Sequence, residues 1–310
     1  GITVLDFSTG PAAALATMML SDQGARVIRV VEPNAPKFRR GGFIVWDRGK
    51  ERMALDFDSE LNGFKNLVAG ADVLVEDFVP NSKRQFLVDD KVLRPINPLL
   101  INCSITAYGK YGALKDEPPI EDLVLARMGV LGGMPGFRPP PVHVVHPLPT
   151  VGSALLACLG IAAALLARET TGRGRTVATS MMAGALLFHP KVIGENLDAH
   201  VFQTHPSGST PFYSVYQCAD GNWLQLGCVH NRFIAIAAGL IGIGDLVAEP
   251  RFNGGGGDMS AQDEQILRDT LTHAIAAKPL ASWSKVFEEA DVPFAPVRQT
   301  RDSMEDPQVI

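Results

Sequence analysis

The sequence predicts an α/β fold with a doubly wound parallel sheet in a large domain and a second, smaller α+β domain. In the first half, short β-branched runs alternate with helical segments, which is typical of parallel strands joined by crossover helices. Beyond about residue 196 the order changes to a β-hairpin followed by three helices. We therefore predict a large domain over residues 1–195 and a small domain over residues 196–310.

The first crossover of the large domain is clearly marked in the sequence. Residues 2–7 form an apolar run that ends at a Ser-Thr-Gly turn. Pro11 then stands at a first helical position, where its missing N–H costs no hydrogen bond, and Gly24 ends the helix. The other predicted elements are strands at 25–31, 52–57, 71–78 and 99–106, helices at 59–68, 120–130 and 150–168, an irregular Gly- and Pro-rich stretch at 132–149, and a strand that runs into a helix within 176–188.

The helix at 150–168 is predicted to be a buried core helix. Its apolar stretch, residues 151–167, falls short of the ~20 residues that span a bilayer, and Gly152, Ser153 and Gly160 interrupt it. We therefore expect no membrane partner.

The small domain is predicted from a hairpin and the helices that follow it. The hairpin strands, 212–218 and 223–228, are joined by a turn that contains an Asp-Gly pair. The later elements are helices at 231–241, 261–277 and 280–290 and an extended run at 293–298.

Composition narrows the class of protein. The chain has 310 residues, 46% of them hydrophobic and 20% charged, which is typical of globular proteins. A net charge of −5 argues against a nucleic-acid partner. The four cysteines form no CxxC pair and have no metal-ligand spacing, so we predict free thiols in a reducing cytoplasm and no metal site.

Seven stretches of the chain resemble one known family in order and spacing. They are ITVLDFSTGPAAALATMMLSDQGARVIRVVEP, RGKERMALDFDSE, ADVLVEDFVPNSKRQF, INPLLINCSITAYGKYG, CLGIAAALLARETTGRGRTVATSMM, YQCADGNWLQL and EEADVPFAPVRQTRDSMEDPQV. The chain resembles the class III CoA-transferases (the CaiB/BaiF family, formyl-CoA transferase-like). The resemblance implies a Rossmann-like large domain, an interlocked homodimer, acyl-CoA and a carboxylic acid as substrates, and no metal. It also implies a return segment to the large domain beyond residue 310.

The resemblance places Thr150 where the family has its catalytic aspartate. That aspartate attacks the acyl-CoA thioester and forms an acyl-aspartyl anhydride. Thr150 is interpreted first as the N-cap of the long helix, since threonine caps helices well. The alternative is a threonine nucleophile with His146 or His143 as its base. If the placement is correct, Thr150→Asp is expected to create or raise transferase activity.

Two acids, Glu121 and Asp122, are the nearest replacements for the missing carboxylate. Asp122 corresponds to a carboxylate of the family's Y-[DE]-x-V-A-Q segment, which the resemblance places near the active site. Its alternative role is that of an acid at a helix N-terminus, where it favours the macrodipole. Asp122 with His143 or His146 could also form a proton-transfer pair.

Candidate CoA contacts follow from the same resemblance. Leu55, Asp77 and Phe78 fall on positions that form the family's adenine and pantetheine wall. Basic residues that could contact the phosphates are Arg39, Arg40 and Arg84, and for each an exposed surface position is the alternative.

The sequence is compatible with three functions. The first is CoA transfer between an acyl-CoA and a carboxylic acid, or a related acyl-CoA reaction. The second is acyl-CoA binding or a structural role without catalysis, because Thr150 replaces the nucleophile. The third is racemisation of a 2-methylacyl-CoA.

Overall fold

The computed structural model describes residues 1–33, 41–134, 136–137, 141–188, 205–256 and 259–309, with the side chains of residues 41–43 left out. The chain forms two compact units. The first consists of Gly1–Met134 and Pro140–Leu197, and the second of Pro135–Pro139 and Asp198–Ile310.

The first unit is built on a six-stranded parallel sheet in the order β3-β2-β1-β4-β5-β6. Its strands are β1 (Thr3–Phe7), β2 (Arg26–Val31), β3 (Glu51–Ala54), β4 (Val73–Glu76), β5 (Ile101–Thr106) and β6 (Thr176–Ser180). This is the doubly wound order of Rossmann folds, in which the direction of winding reverses between β1 and β4. The predicted α/β class and parallel sheet are confirmed.

Helices flank this sheet. They are α1 (Pro11–Asp22), α2 (Gly41–Trp46), α3 (Leu61–Ala69), α4 (Lys83–Leu87), α5 (Asp90–Ile96), α6 (Glu121–Arg127), α7 (Val130–Gly133), α8 (Leu148–Thr171) and α9 (Met181–Leu187). Apolar clusters fill both faces of the sheet, one formed with α1 and α8 and the other with α3 and α5.

Several sequence predictions are wrong in detail. The predicted helix at 120–130 is two helices, because Gly129 adopts a left-handed conformation with φ of +74° between α6 and α7. The stretch 132–149 is not wholly irregular, since α7 extends to Gly133 and α8 begins at Leu148. The third strand ends at Ala54, three residues early.

Helix α8 is the one helix, among the described residues, that is long and apolar enough to cross a bilayer. It packs on α1, β5 and β6 through small residues such as Ala154, Ala157 and Ala164, which are at most 5% exposed. Leu159 and Leu166, on another face of the helix, are 69% and 74% exposed. The predicted core helix is therefore buried along one face only.

Two glycines allow α8 and α9 to cross in backbone contact. A Cβ on Gly152 would lie 2.3 Å from the carbonyl oxygen of Gly184, and a Cβ on Gly184 would lie 2.5 Å from that of Pro149. Since no side chain can be accommodated at either position, the crossing fixes the first turn of α8 against α9.

The second unit pairs an antiparallel sheet with helices, as predicted. The sheet order is β10-β9-β8-β7, and the elements are β7 (Gly208–Thr210), β8 (Tyr213–Gln217), β9 (Trp223–Leu226), α10 (Asn231–Ile241), α11 (Gly244–Val247), a 3₁₀ segment (Pro250–Gly255), α12 (Ala261–Ile275), α13 (Leu280–Glu289), β10 (Phe294–Pro296) and α14 (Thr300–Ser303). The ring of Trp283 stacks on Phe287 at 5.3 Å in its core.

Candidate functional site

The first turn of α8 and the first turn of α6 come together around Thr150. Thr150 is 1% exposed and is the third residue of α8, after Leu148 and Pro149. The helix begins two residues earlier than predicted because proline is tolerated in the first turn of a helix. The residue before the helix is Pro147, whose side chain makes no capping hydrogen bond. The N-cap prediction for Thr150 is therefore wrong.

Glu121, the first residue of α6, binds Thr150 twice. The Thr150 hydroxyl donates to Glu121 Oε2 at 2.6 Å, and the Thr150 backbone N–H donates to the same oxygen at 3.2 Å. The Glu121 carboxylate thus satisfies an N–H in the first turn of α8 that has no partner within its own helix. The side-chain acceptor that caps α8 is therefore an acid from another helix, whereas the sequence predicted that Thr150 itself would be the cap.

The environment of Glu121 affects its ionisation. Burial raises the pKa of this carboxyl, and the hydrogen bonds from Thr150 oppose the rise because they stabilise the charged form. The nearby charge of Asp122 raises the pKa further. Glu121 is half-buried, so its carboxylate is less solvated than that of a surface acid.

Asp122 and His143 lie side by side next to this contact. His143 Nε2 lies 3.3 Å from Asp122 Oδ1, and the two side chains are 61% and 63% exposed. The structure therefore brings Asp122 to His143. His146 is exposed in the turn before α8, where its carbonyl accepts the Leu148 N–H at 2.8 Å.

Asp77 follows β4 at the point where the sheet reverses its winding. Its buried carboxylate accepts hydrogen bonds from the hydroxyl of Thr9 at 2.9 Å and from the backbone N–H of Gly10 at 3.0 Å, at the N-terminus of α1. Burial raises the pKa of Asp77 to about 7, although the hydrogen bonds from Thr9 and Gly10 oppose this. In Rossmann folds a ligand phosphate occupies this helix N-terminus. Here an acid of the chain fills it.

The other predicted CoA contacts lie at the same end of the sheet. Leu55 follows β3 and is 4% exposed, and Phe78 follows Asp77 and is 6% exposed. The ring of Phe78 lies 6.3 Å from that of Phe7 in the core. Both side chains contribute to the apolar core beneath the crevice rather than to an open wall.

Of the three arginines predicted to contact the phosphates, the structure describes Arg84. Arg84 forms an ion pair with Glu32, and the two side chains are 38% and 27% exposed. The pair occupies one terminal nitrogen of the Arg84 guanidinium, which carries further N–H donors. Arg39 and Arg40 lie outside the described residues.

A cavity of about 280 Å³ lies at the carboxyl ends of β4 and β5. Its lining includes the buried carboxylate of Glu76 together with Lys110 and Lys115. Sequence reasoning did not select these lysines, because isolated lysines in a loop carry no motif. Ligands of doubly wound sheets bind at this end of the strands.

Comparisons with known proteins agree on one family. A model of the family described as CoA-transferase family III matches residues 1–310. The chain is 29% identical over 327 residues to acetyl-CoA:oxalate CoA-transferase from Acetobacter aceti, covering 99% of this chain and 82% of that protein. It is 28% identical over 306 residues to human alpha-methylacyl-CoA racemase, covering 96% and 77%. The crystal structure of a CaiB/BaiF family protein from Brucella suis shares its fold, with a TM-score of 0.83 at 22% identity over 100% of this chain and 86% of that one.

Proposed function

The chain belongs to CoA-transferase family III, and on that premise we propose that it transfers CoA between an acyl-CoA thioester and a carboxylic acid. The observation that supports this proposal is the half-buried carboxylate of Glu121 at the first turn of α8. A carboxylate can carry the acyl group as an anhydride that is close in energy to a thioester, and Thr150 alone supplies no carboxylate.

Acyl-CoA is the substrate class that the family uses, and this chain is proposed to bind it at the carboxyl ends of β3, β4 and β5. Leu55 and Phe78 would lie beneath the nucleotide or the pantetheine. Arg84 and the cavity lysines Lys110 and Lys115 would supply cations to the phosphates. Arg39 and Arg40 remain predicted phosphate contacts.

The homodimer and the cytoplasmic location also remain proposals. The exposed leucines of α8, Leu155, Leu159 and Leu166, support association, since a second copy would remove them from water.

The second candidate function is acyl-CoA binding without turnover, which the threonine at position 150 favours. Racemisation is the third, and the Asp122–His143 pair would be one of the two acid–base groups that it requires. Asp122→Asn would then abolish proton exchange at the acyl α-carbon.

One experiment separates these three functions. The chain is incubated with acetyl-CoA and oxalate, the substrates in the name of the Acetobacter aceti relative, and then with a panel of other acyl-CoA and acid pairs. Formation of a new acyl-CoA, measured by mass spectrometry, supports transfer. Tight CoA binding with no product from any pair supports the second function. Deuterium incorporation at the α-carbon of a 2-methylacyl-CoA in D₂O, without transfer, supports the third.

A further inference from the structure

We propose that Glu121 is the nucleophilic carboxylate of this chain and that Thr150 positions it, an inference that rests on the proposed CoA transfer. The two residues lie 29 positions apart in the sequence and are joined by a 2.6 Å hydrogen bond at the first turn of α8. The nucleophile, Glu121, would therefore lie on α6, and the residue that positions it, Thr150, on α8.

The hydrogen bonds leave one oxygen of Glu121 available for attack. Oε2 accepts both the hydroxyl and the N–H of Thr150, at 2.6 and 3.2 Å. Within the described part of the chain, Oε1 receives only that N–H, at 3.5 Å, which is the outer limit of a hydrogen bond. Since a carboxylate oxygen carries two lone pairs, Oε1 keeps electron density directed away from Thr150.

The surroundings leave the Glu121 carboxyl poorly hydrated, which raises its pKa, and the hydrogen bonds from Thr150 oppose that rise. The N-terminus of the 24-residue helix α8 carries partial positive charge, which stabilises the anion. Partial burial removes hydration that an attacking oxygen would otherwise have to lose. Together these effects describe an activated nucleophile, whereas a solvated surface acid would have neither.

The chemistry balances with no added reagent. Glu121 Oε1 bonds to the thioester carbonyl carbon, and the C–S bond breaks so that CoA leaves as a thiolate with the electron pair. The thiolate attacks the glutamyl carbonyl of the resulting anhydride and releases the donor acid as a carboxylate. The acceptor carboxylate then attacks the glutamyl thioester and expels the thiolate, which attacks the acceptor acyl carbon and restores Glu121 as a carboxylate.

A purely structural role for Glu121 is the main alternative. In that case the carboxylate only satisfies the N–H of Thr150. Glutamine at position 121 separates the two roles, because its amide oxygen still accepts both hydrogen bonds but cannot form the anhydride. Glu169, an exposed acid near the other end of α8, provides a matched control.

The test is trapping of the enzyme-bound intermediate. The chain is mixed with acetyl-CoA and hydroxylamine, digested, and analysed by peptide mass spectrometry. We expect a hydroxamate on Glu121 in the wild type and in Glu169→Gln, none in Glu121→Gln, and a loss of exchange of at least 10³-fold in Glu121→Gln. A hydroxamate on another residue, or wild-type exchange by Glu121→Gln, overturns the inference and leaves CoA transfer standing. Wild-type protein that binds CoA but gives neither exchange nor label overturns both.

The role of Thr150 is tested by rescue and by pH. Thr150→Val is expected to lower kcat at least tenfold with little change in KM, and Thr150→Ser to restore kcat to within about threefold. Loss of the hydroxyl removes a hydrogen bond to the ionised form of Glu121 and raises its pKa, so the acidic limb of the valine variant's rate profile moves to higher pH. Equal rates and equal profiles in the two variants overturn the positioning role.

Discussion

Glu121 Oε2 lies 2.6 Å from Thr150 Oγ1, although the two residues are 29 positions apart in the chain. The contact joins the first turns of two helices, α6 and α8. It places a carboxylate at the spot where the family resemblance expects an aspartate on α8. This part of the molecule therefore holds a carboxylate, although position 150 itself is a threonine.

A double substitution tests whether the carboxylate can be moved between the helices. Thr150→Asp alone places a second carboxylate against Glu121, and like charges at this distance raise the pKa of one of them. In Glu121→Gln/Thr150→Asp only the introduced carboxylate remains. We expect this double variant to exchange CoA at least tenfold faster than Glu121→Gln. The rate is measured with acetyl-CoA and the best acceptor acid. A double variant that binds acetyl-CoA but is no faster than Glu121→Gln would show that Thr150 does not occupy the family's nucleophile position.

The pKa of Asp77 predicts a pH-dependent stability. The carboxyl titrates at about 7 in the folded chain and near its ordinary value of 3.8 when unfolded, so the folded chain holds an extra proton between these values. The free energy of unfolding should therefore fall as pH rises from about 5 to 7, by up to about 1.4 kcal/mol per pH unit for this group.

Asp77→Asn removes this titration, so the difference between wild type and variant should change across the same interval. Urea unfolding at a series of pH values measures it. A difference that is flat from pH 5 to 7 would contradict the assignment.

The contact between Gly152 and Gly184 predicts a site that tolerates no side chain. Gly152→Ala places a Cβ 2.3 Å from a backbone oxygen, and we expect a loss of about 1–3 kcal/mol in the free energy of unfolding. Gly239→Ala is the control, because Gly239 lies in α10 with open space around its Cβ position. The control should gain up to about 1 kcal/mol, since alanine favours helix. Thermal or urea unfolding gives both values, and a Gly152→Ala variant as stable as wild type would refute the close crossing.

The exposed leucines of α8 predict an effect on association. Leu159→Glu/Leu166→Glu places charge on a face that the proposed homodimer would bury, and we expect a monomer by light scattering at concentrations where the wild type is a dimer. Leu61→Glu, at a 43% exposed leucine in α3, should leave the mass unchanged. An unchanged mass in the double variant would place any interface elsewhere.

The sequence is most informative where local patterns decide the structure. The apolar runs at 2–7 and 25–31 contain β1 and β2, because β-branched residues pack well in a buried sheet and Pro11 and Gly24 mark the helix between them. The sequence did not predict helices α4 and α5, since both are short. Pro95 within α5 also indicates the end of a helix and not its interior. The strand order depends on long-range pairing, which no single stretch encodes.

The candidate site was predicted in part. The sequence directed attention to Thr150, to Asp122 and to the histidines nearby, and the structure brings Asp122 to His143. It favoured Asp122 over Glu121, because Asp122 corresponds to the carboxylate of the family's Y-[DE]-x-V-A-Q segment. Which of them meets Thr150 depends on how α6 packs against α8, a tertiary relationship between residues 29 apart.

The Glu121–Thr150 contact takes one residue from each of two helices, so its geometry depends on how α6 and α8 pack. Glu121 and Thr150 stand in the first turns of α6 and α8, so a substitution that shifts either helix would separate acid from alcohol while both helices stay intact. Under the proposed mechanism, activity would then depend on how closely the two first turns pack. A chain with its acid on α8 itself would not show this sensitivity.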